Sequence, residues 1–431
     1  MKVLLYGINF APEPTGIGRY SGEMASWLAS AGHEVHVIAA PPYYPEWKVG
    51  RGYSAWRSST EQWQGVDVHR TPLWVPRRPS GLTRIVHLLS FAALSLPALV
   101  RQMFWRPDVV VVVAPAFACA PAGWLAARLC KARAWLHIQD FEIDAAFRMG
   151  LLKGRTAERV IGSVERWLLH RFDRVSTISQ RMLERLHAKG VDAGRAVSFP
   201  NWVDIDAIVP LQGVSPYRAE LGIADDAVVA LYSGSMAGKQ GLELLPAAAR
   251  ALEAVLPNLV FVLCGEGVCR PTIERDSAGL TNLHLLPLQP AHRLPDLLGM
   301  ADIHLLPQHA EAADLVMPSK LTGMLSSGRP VLATAHAGTE LAHVVSQRGM
   351  VVPPGQLAAF VDALKELVAD APLRLRMGAA ARLYAEEHLA RDRVLGDFEQ
   401  ALKRCIASAA AAKESTVIAH PSTADEPANT T

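Results

Sequence analysis

Short apolar runs alternate with helical stretches along almost the whole chain, and that rhythm constrains the fold more than any single motif. In the first half, strand signals stand at Lys2 to Tyr6, Val35 to Ala39, Val66 to His69, Val109 to Val113, Ala134 to Ile138, Arg174 to Ile178 and Ala196 to Phe199. The rhythm weakens through Val203 to Leu221, which contains Pro210, Gly213 and Pro216. It resumes at Val228 to Tyr232, Val260 to Cys264, Leu283 to Leu286, Ile303 to Pro307, Val331 to Ala333 and Met350 to Val352. Strand signals separated by helices predict parallel sheets covered on both faces. With 431 residues the chain exceeds one ordinary core. The reading is therefore α/β, with two facing Rossmann-like domains at 1–202 and 222–388, joined by a linker at 203–221. A helix at 389–407, able to cross back to the first domain, and a disordered tail at 408–431 complete it.

Composition excludes some classes of partner. Forty-three basic residues against 41 acidic ones, read as dispersed, give no case for nucleic acid. Cys119, Cys130, Cys264, Cys269 and Cys405 show neither metal spacing nor an even disulfide framework, which fits reduced thiols in the cytoplasm. The opening Met1 to Gly7 runs straight into polar residues and reads as a first strand rather than a signal peptide.

Chemistry concentrates where strands end. Pro318, Ser319 and Lys320 follow the strand at Ile303 to Pro307, and helical character runs from Leu321 to Ser327, ended by Gly328. Ser319 falls at an N-cap position, where free amides, the helix dipole and the Lys320 ammonium would meet a diphosphate. An ordinary capped helix with a solvated lysine fits the same residues. In the first domain Gly16, Ile17, Gly18 and Arg19 end a long loop containing Asn9 to Thr15. This spacing is not the Gly-x-Gly-x-x-Gly of a nicotinamide dinucleotide site, and no acid closes the second strand. Such a loop brings backbone amides into the cleft, or simply starts a helix.

Together these motifs resemble a family: the retaining nucleotide-sugar glycosyltransferases of the GT-B fold, family 4, and among them the bacterial colanic-acid-type exopolysaccharide enzymes. The similarity runs from Met1 to about Leu395 and rests on several motifs in order. Gly16 to Arg19 match the family's acceptor-side glycine loop. Gln139 and Asp140, within His137 to Asp144, match its His-Asp or Gln-Asp pair. Pro200, Asn201, Trp202, Val203 and Asp204 match the interdomain motif, Ser233 to Gly241 the phosphate loop, and Gly265, Glu266 and Gly267 the following Gly-x-Gly. The resemblance implies donor binding by Gly234, Ser235, Lys239, Gly265, Pro318, Ser319, Lys320 and Leu321, with Asp140, Lys320 and Lys239 as catalytic candidates.

The departures are specific. Ser235 and Gln240 stand where relatives carry an arginine and a lysine, with Lys239 one residue early, either replacing those cations or facing solvent. The family's paired glutamates fall at Leu315 and Gly323, leaving Asp314 and Glu311 as the nearest acids. Fixed donors and cations must stabilise the diphosphate as it leaves, so a metal is not expected. Asp204, Ile205 and Asp206 read as a helix or turn cap rather than a metal motif. Asp140 would contact donor-sugar hydroxyls, orient the acceptor or cap a helix. Ile85 to Val100, with Arg77, Arg78, Arg84, Arg101 and Arg106 around it, is too short to span a bilayer, so burial is expected for most of it and membrane contact for its basic flanks.

The resemblance implies a nucleotide-sugar donor (GDP-fucose or another GDP-sugar), a lipid-linked sugar acceptor and a peripheral position at the inner face of the cytoplasmic membrane. A GT-B nucleotide-sugar epimerase and a non-catalytic nucleotide-sugar-binding protein are the rival readings.

Overall fold

The computed structural model describes residues 1–14, 16–115, 117–141, 155–310 and 318–418, with backbone only at 155, 157, 158, 239 and 409–418. Two sheets organise it. The first contains β1 (Lys2–Gly7), β2 (Glu34–Ala39), β3 (Ser59–Trp63), β4 (Val66–Arg70), β5 (Val109–Ala114), β6 (Arg133–Ile138), β7 (Arg174–Thr177) and β8 (Ala196–Ser198). The second contains β9 (Val228–Ser233), β10 (Leu259–Cys264), β11 (Leu283–Leu286), β12 (Ile303–Leu306), β13 (Val331–Thr334) and β14 (Gly349–Val352). Their orders are β3-β4-β2-β1-β5-β6-β7-β8 and β11-β10-β9-β12-β13-β14. Among the described residues every pairing of these strands is parallel except β3 with β4.

The central strands are apolar throughout because helices cover both faces: β5 is VVVVVA and buried at every position. In both sheets the order reverses beside the first strand of the series, and the crevice that ligands favour in open α/β sheets opens at that switch. Only β3, STEQW, has no counterpart in the sequence reading. It is an edge strand with a largely exposed, polar face, so burial leaves no apolar alternation to find.

The segment read as a linker is built into the second core. Val203, Ile208 and Tyr217 are buried there among Leu297, Met324 and Ala385. At the crossing, Val203 N–H donates to Leu389 O and Arg391 N–H to Val203 O, so both interdomain passages are bonded to each other. Beyond it, the helix Arg391–Ile418 packs on the first domain. Phe398 stacks on Phe199 at 4.1 Å and meets Trp135 edge-on at 5.3 Å. Arg133 Nε donates to Cys405 O at 2.9 Å. This helix also corrects the sequence reading, because the tail predicted as disordered from Ser408 is helical as far as Ile418. Four consecutive alanines at 409–412 have the highest helix propensity and carry it onward.

A second correction concerns Ile85 to Val100, for which burial was expected. The segment forms helices Gly81–Leu94 and Leu96–Trp105, with Pro97 in the first turn of the second. Only one stripe is buried, formed by His87, Phe91, Ser95, Leu99 and Gln102. Tyr6 and Ser95 are 2.6 Å apart through their hydroxyls, and Phe91 lies 6.0 Å from the Tyr6 ring, so this stripe rests directly on β1.

Candidate active site

The carboxyl end of β9 leads into the densest cluster of donor-side candidates. Lys320, the first residue of helix Lys320–Ser326, donates from Nζ to Tyr232 Oη at 2.7 Å and to Gln240 Oε1 at 3.4 Å. The same ammonium lies 4.1 Å from the Tyr232 ring centre. Tyr232 in turn donates to Ser235 O at 2.6 Å, so cation, phenol and loop carbonyl form one chain. Burial raises the Tyr232 pKa far above its ordinary 10, keeping the phenol neutral beside the lysine. Gln240, a departure from the family pattern, thus joins the site by accepting from Lys320. Backbone at Lys239 lies in the turn Gly238–Gln240, but its side chain is outside the described residues.

The glycines serve close approach more than donation. A side chain on Gly234, at φ +144°, would come within 2.8 Å of Lys320 Nζ. One on Gly265, at φ +157°, would run into Gly234 O, and one on Gly267 would lie 2.5 Å from Met236 O. The loops after β9 and β10 therefore stack backbone on backbone. Their amides are largely committed: Gly234 N–H donates to Cys264 O, Met236 N–H to Glu266 O and Gly265 N–H to Leu286 O. Sequence reasoning expected the Gly234 amide to face the diphosphate; here it holds the two loops together.

Ser319 departs from its expected capping role as well. Its backbone is already helical at φ −58°, ψ −26°, and its side chain makes no cap bond. Instead Ser319 O accepts from Thr322 Oγ1 at 3.0 Å, and Pro318 O accepts from Leu321 N–H at 3.0 Å. Pro318 to Lys320 thus form a tight turn that carries Lys320 over Gly234. Behind the Gly238–Gln240 turn, Gly241, Glu243, Gln308 and His309 line a concavity. Asp314, Glu311 and Leu315 lie outside the described residues.

On the opposite side, helix Gly16–Ser30 begins at Gly16, where φ is +64°. Gly18 has no room for a side chain because Glu13 lies against it, and a Cβ on Gly22 would come 2.6 Å from that of Ala11. Ile17 packs partly buried against the first core. Arg19 Nε donates to Glu23 Oε1 at 2.6 Å, and Trp202 Nε1 donates to Glu23 Oε2 at 2.7 Å. Tyr20, one residue on, is buried and packs edge-on against Trp202 at 5.0 Å.

Glu13 is the residue that sequence reasoning passed over. Buried at 3% exposure, it accepts from Tyr43 N–H at 3.2 Å, Tyr44 N–H at 3.1 Å and Asn9 Nδ2 at 2.9 Å. Burial nonetheless raises its pKa above the ordinary 4.5. Nearby, buried Arg70 donates to Ala40 O at 2.9 Å and to Ala11 O, and pairs with Glu61 at 2.6 Å. Glu13 and Arg70 thus tie the loop after β1 to the loop after β2. The available signal is a lone carboxylate between two prolines just ahead of the glycine loop.

Asp140 follows Gln139 at the end of β6, at the cleft edge of the sheet. His137 is structural: wholly buried, with Nδ1 2.9 Å from Ser176 Oγ and Nε2 3.0 Å from Gln139 Nε2. Burial pushes its pKa down to about 3, so the ring is neutral. Asp204 is a turn cap, accepting from Asp206 N–H at 3.2 Å and Ala207 N–H at 2.9 Å, and its other oxygen takes Arg391 Nη1 at 2.6 Å.

Comparison with known proteins matches this arrangement twice over. A glycosyl transferase 4-like domain matches residues 15–202, and a glycosyl transferases group 1 domain matches residues 214–384. The chain is 42% identical over 408 residues to the putative colanic acid biosynthesis glycosyl transferase WcaI of Escherichia coli K12, covering 92% of this chain and 98% of that protein. Among solved structures, a sucrose-phosphate synthase from Thermosynechococcus elongatus superposes with a TM-score of 0.72 at 16% identity, over 94% of this chain and all of that one. WaaG, a glycosyltransferase involved in lipopolysaccharide biosynthesis, superposes at 0.64 with 17% identity, over 94% of this chain and 99% of that one. Two facing Rossmann-like domains, both family domains in order and near-full-length identity to WcaI agree, and the chain belongs to the GT-B glycosyltransferases of family 4.

Proposed function

We propose that this glycosyltransferase moves a sugar from a nucleotide-diphosphate donor, with retention, to a lipid-linked oligosaccharide during exopolysaccharide synthesis. The observation that carries the reading is the Lys320 ammonium, fixed by Tyr232 and Gln240 above Gly234. As the sugar–oxygen bond breaks, negative charge grows on the diphosphate, and a cation already held in place needs no rearrangement to stabilise it. Asp140, from the other wall, acts on the hydroxyls of the reacting sugars. The name of the Escherichia coli relative supports a colanic-acid-like product, and GDP-fucose or another GDP-sugar is the donor to try first.

Metal is not required in this scheme. The Asp204 carboxylate, which begins an Asp-x-Asp, is engaged by the turn and by Arg391. Activity is therefore expected to survive a chelator, and loss of turnover restored by magnesium or manganese would refute this.

The test of function is incubation with a panel of labelled nucleotide sugars, with and without lipid-linked acceptor. Acceptor-dependent nucleotide release and a product of unchanged anomeric configuration are expected. An isomerised donor without transfer would point to an epimerase, and donor binding alone to a sensor. Cytoplasmic location at the inner face of the membrane goes with this acceptor, and fractionation of cells tests it.

A further inference from the structure

Helices that are apolar on every side are normally covered on every side. The pair Gly81–Leu94 and Leu96–Trp105 is not. Opposite its buried stripe, Leu82, Val86 and Leu89 recur at helical spacing and face outward, followed by Val100 and Phe104 on the second helix. Leu82 is 74% exposed and Phe104 84%, values that an ordinary amphipathic surface helix reserves for polar residues. The adjacent helix Ala120–Cys130 continues the surface with exposed Leu125 and Leu129.

Charge says what covers this face. Residues 68–139 contain nine lysines and arginines against one acid, Asp108, while the rest of the chain has 34 basic residues against 40 acidic ones. Basic residues are thus near their whole-chain density here, and what marks the segments that carry the apolar face is the near absence of acids to offset them. Arg77, Arg78, Arg84, Arg101, Arg106 and Arg128 are all exposed there. Apolar side chains on the outward face with arginines around them are the composition of a helix lying in a negatively charged bilayer interface.

We propose that this face is a docking surface for an anionic phospholipid bilayer, which the helices enter side-on without crossing. Together they span 25 residues, long and apolar enough to cross. Crossing would require pulling Phe91 and Ser95 away from Tyr6 of β1, where both are fully buried. The placement also aims the cleft. His87, near the start of the first helix, packs against Tyr43 at 4.7 Å and Trp47 at 5.4 Å, and Arg84 lies 5.3 Å from the Trp47 ring. Tyr43 and its neighbour Tyr44 are the residues that Glu13 ties to the glycine loop. The bilayer face therefore begins one loop away from the acceptor side, an orientation that rests on the lipid-linked acceptor reading, whereas the docking itself does not.

The test is flotation of the full chain with phosphatidylcholine vesicles, with or without phosphatidylglycerol, beside the exposed double variant Val86→Asp/Phe104→Asp. Wild type is expected to float with the anionic vesicles, less at high salt, and weakly with the neutral ones. The variant should lose roughly tenfold or more in vesicle binding, with unchanged melting temperature and unchanged nucleoside-diphosphate affinity. Equal flotation of both proteins overturns the proposal. So does a wild-type dimer that the variant breaks while neither binds vesicles, since a second copy would then cover the face. Binding that resists alkaline carbonate would mean a spanning helix and also overturns it. Vesicle binding without transfer to any lipid-linked acceptor would leave the surface standing and remove the proposed function.

Discussion

The two walls of the cleft finish their sheets by different means. In the first domain the loops after β1 and β2 are fastened by buried charge: Glu13 receives three donors, and Arg70 reaches two backbone carbonyls and Glu61. In the second, the loops after β9 and β10 are glycine against backbone, and Lys320 supplies the cation. A diphosphate is the same in every nucleotide-sugar, and a fixed ammonium held over closely stacked loops suits it. An acceptor differs from enzyme to enzyme, and side chains that brace longer loops can be exchanged without disturbing those stacked loops. Under the proposed function, the second wall meets the diphosphate common to nucleotide-sugars and the first meets the acceptor.

The largest effect should come from the first wall. Asp140→Asn keeps shape and removes charge, so a role at the reacting sugars predicts a fall in kcat of about a hundredfold or more with nucleoside-diphosphate binding intact. A capping aspartate would tolerate the change, since Asn and Asp cap about equally well. Near-normal turnover in a folded variant would remove the catalytic part of the first wall from the comparison.

Next comes the second wall. Lys320→Ala deletes a charge-assisted contact of about 1.5–3 kcal/mol, or roughly ten- to a hundredfold in donor use. Calorimetry showing unchanged nucleoside-diphosphate affinity would refute the lysine's part in the second wall.

Much of this arrangement was legible in the sequence because it rests on local signals. Among the described residues, thirteen of the fourteen strands coincide with the strand signals of the sequence, and β3 escaped because its edge position leaves it polar. The motif residues around Lys320 are found by spacing, yet their partners are not. Tyr232 reads as an ordinary strand residue until the fold brings it 88 positions across to Lys320. Gly234 reads as an amide donor until Cys264 O is seen to occupy that amide. The exposed face of Gly81–Trp105 failed for the opposite reason: an apolar run predicts burial, and only tertiary structure tells which side has a partner. Glu13 combines both difficulties, since a carboxylate predicts exposure and two of its three donors, the Tyr43 and Tyr44 amides, come from the loop after β2, 30 and 31 positions on.

Glu13→Gln should have the smallest effect and the clearest pH signature. Burial raises the folded pKa of Glu13 above the ordinary 4.5 despite three donors that favour the carboxylate. Between 4.5 and that raised value the folded protein therefore binds more protons here than the unfolded chain, so stability falls as pH climbs through the window. Glutamine has no such dependence. The melting temperature of Glu13→Gln relative to wild type should rise with pH across that window and level off above it, while the acceptor KM worsens by roughly a few-fold because one acceptor oxygen becomes an amide and the Asn9 bond is lost. A relative melting temperature that stays flat with pH would mean that this carboxylate is not strained by burial. The first wall would then be braced chiefly by Arg70, whose guanidinium links the same two loops.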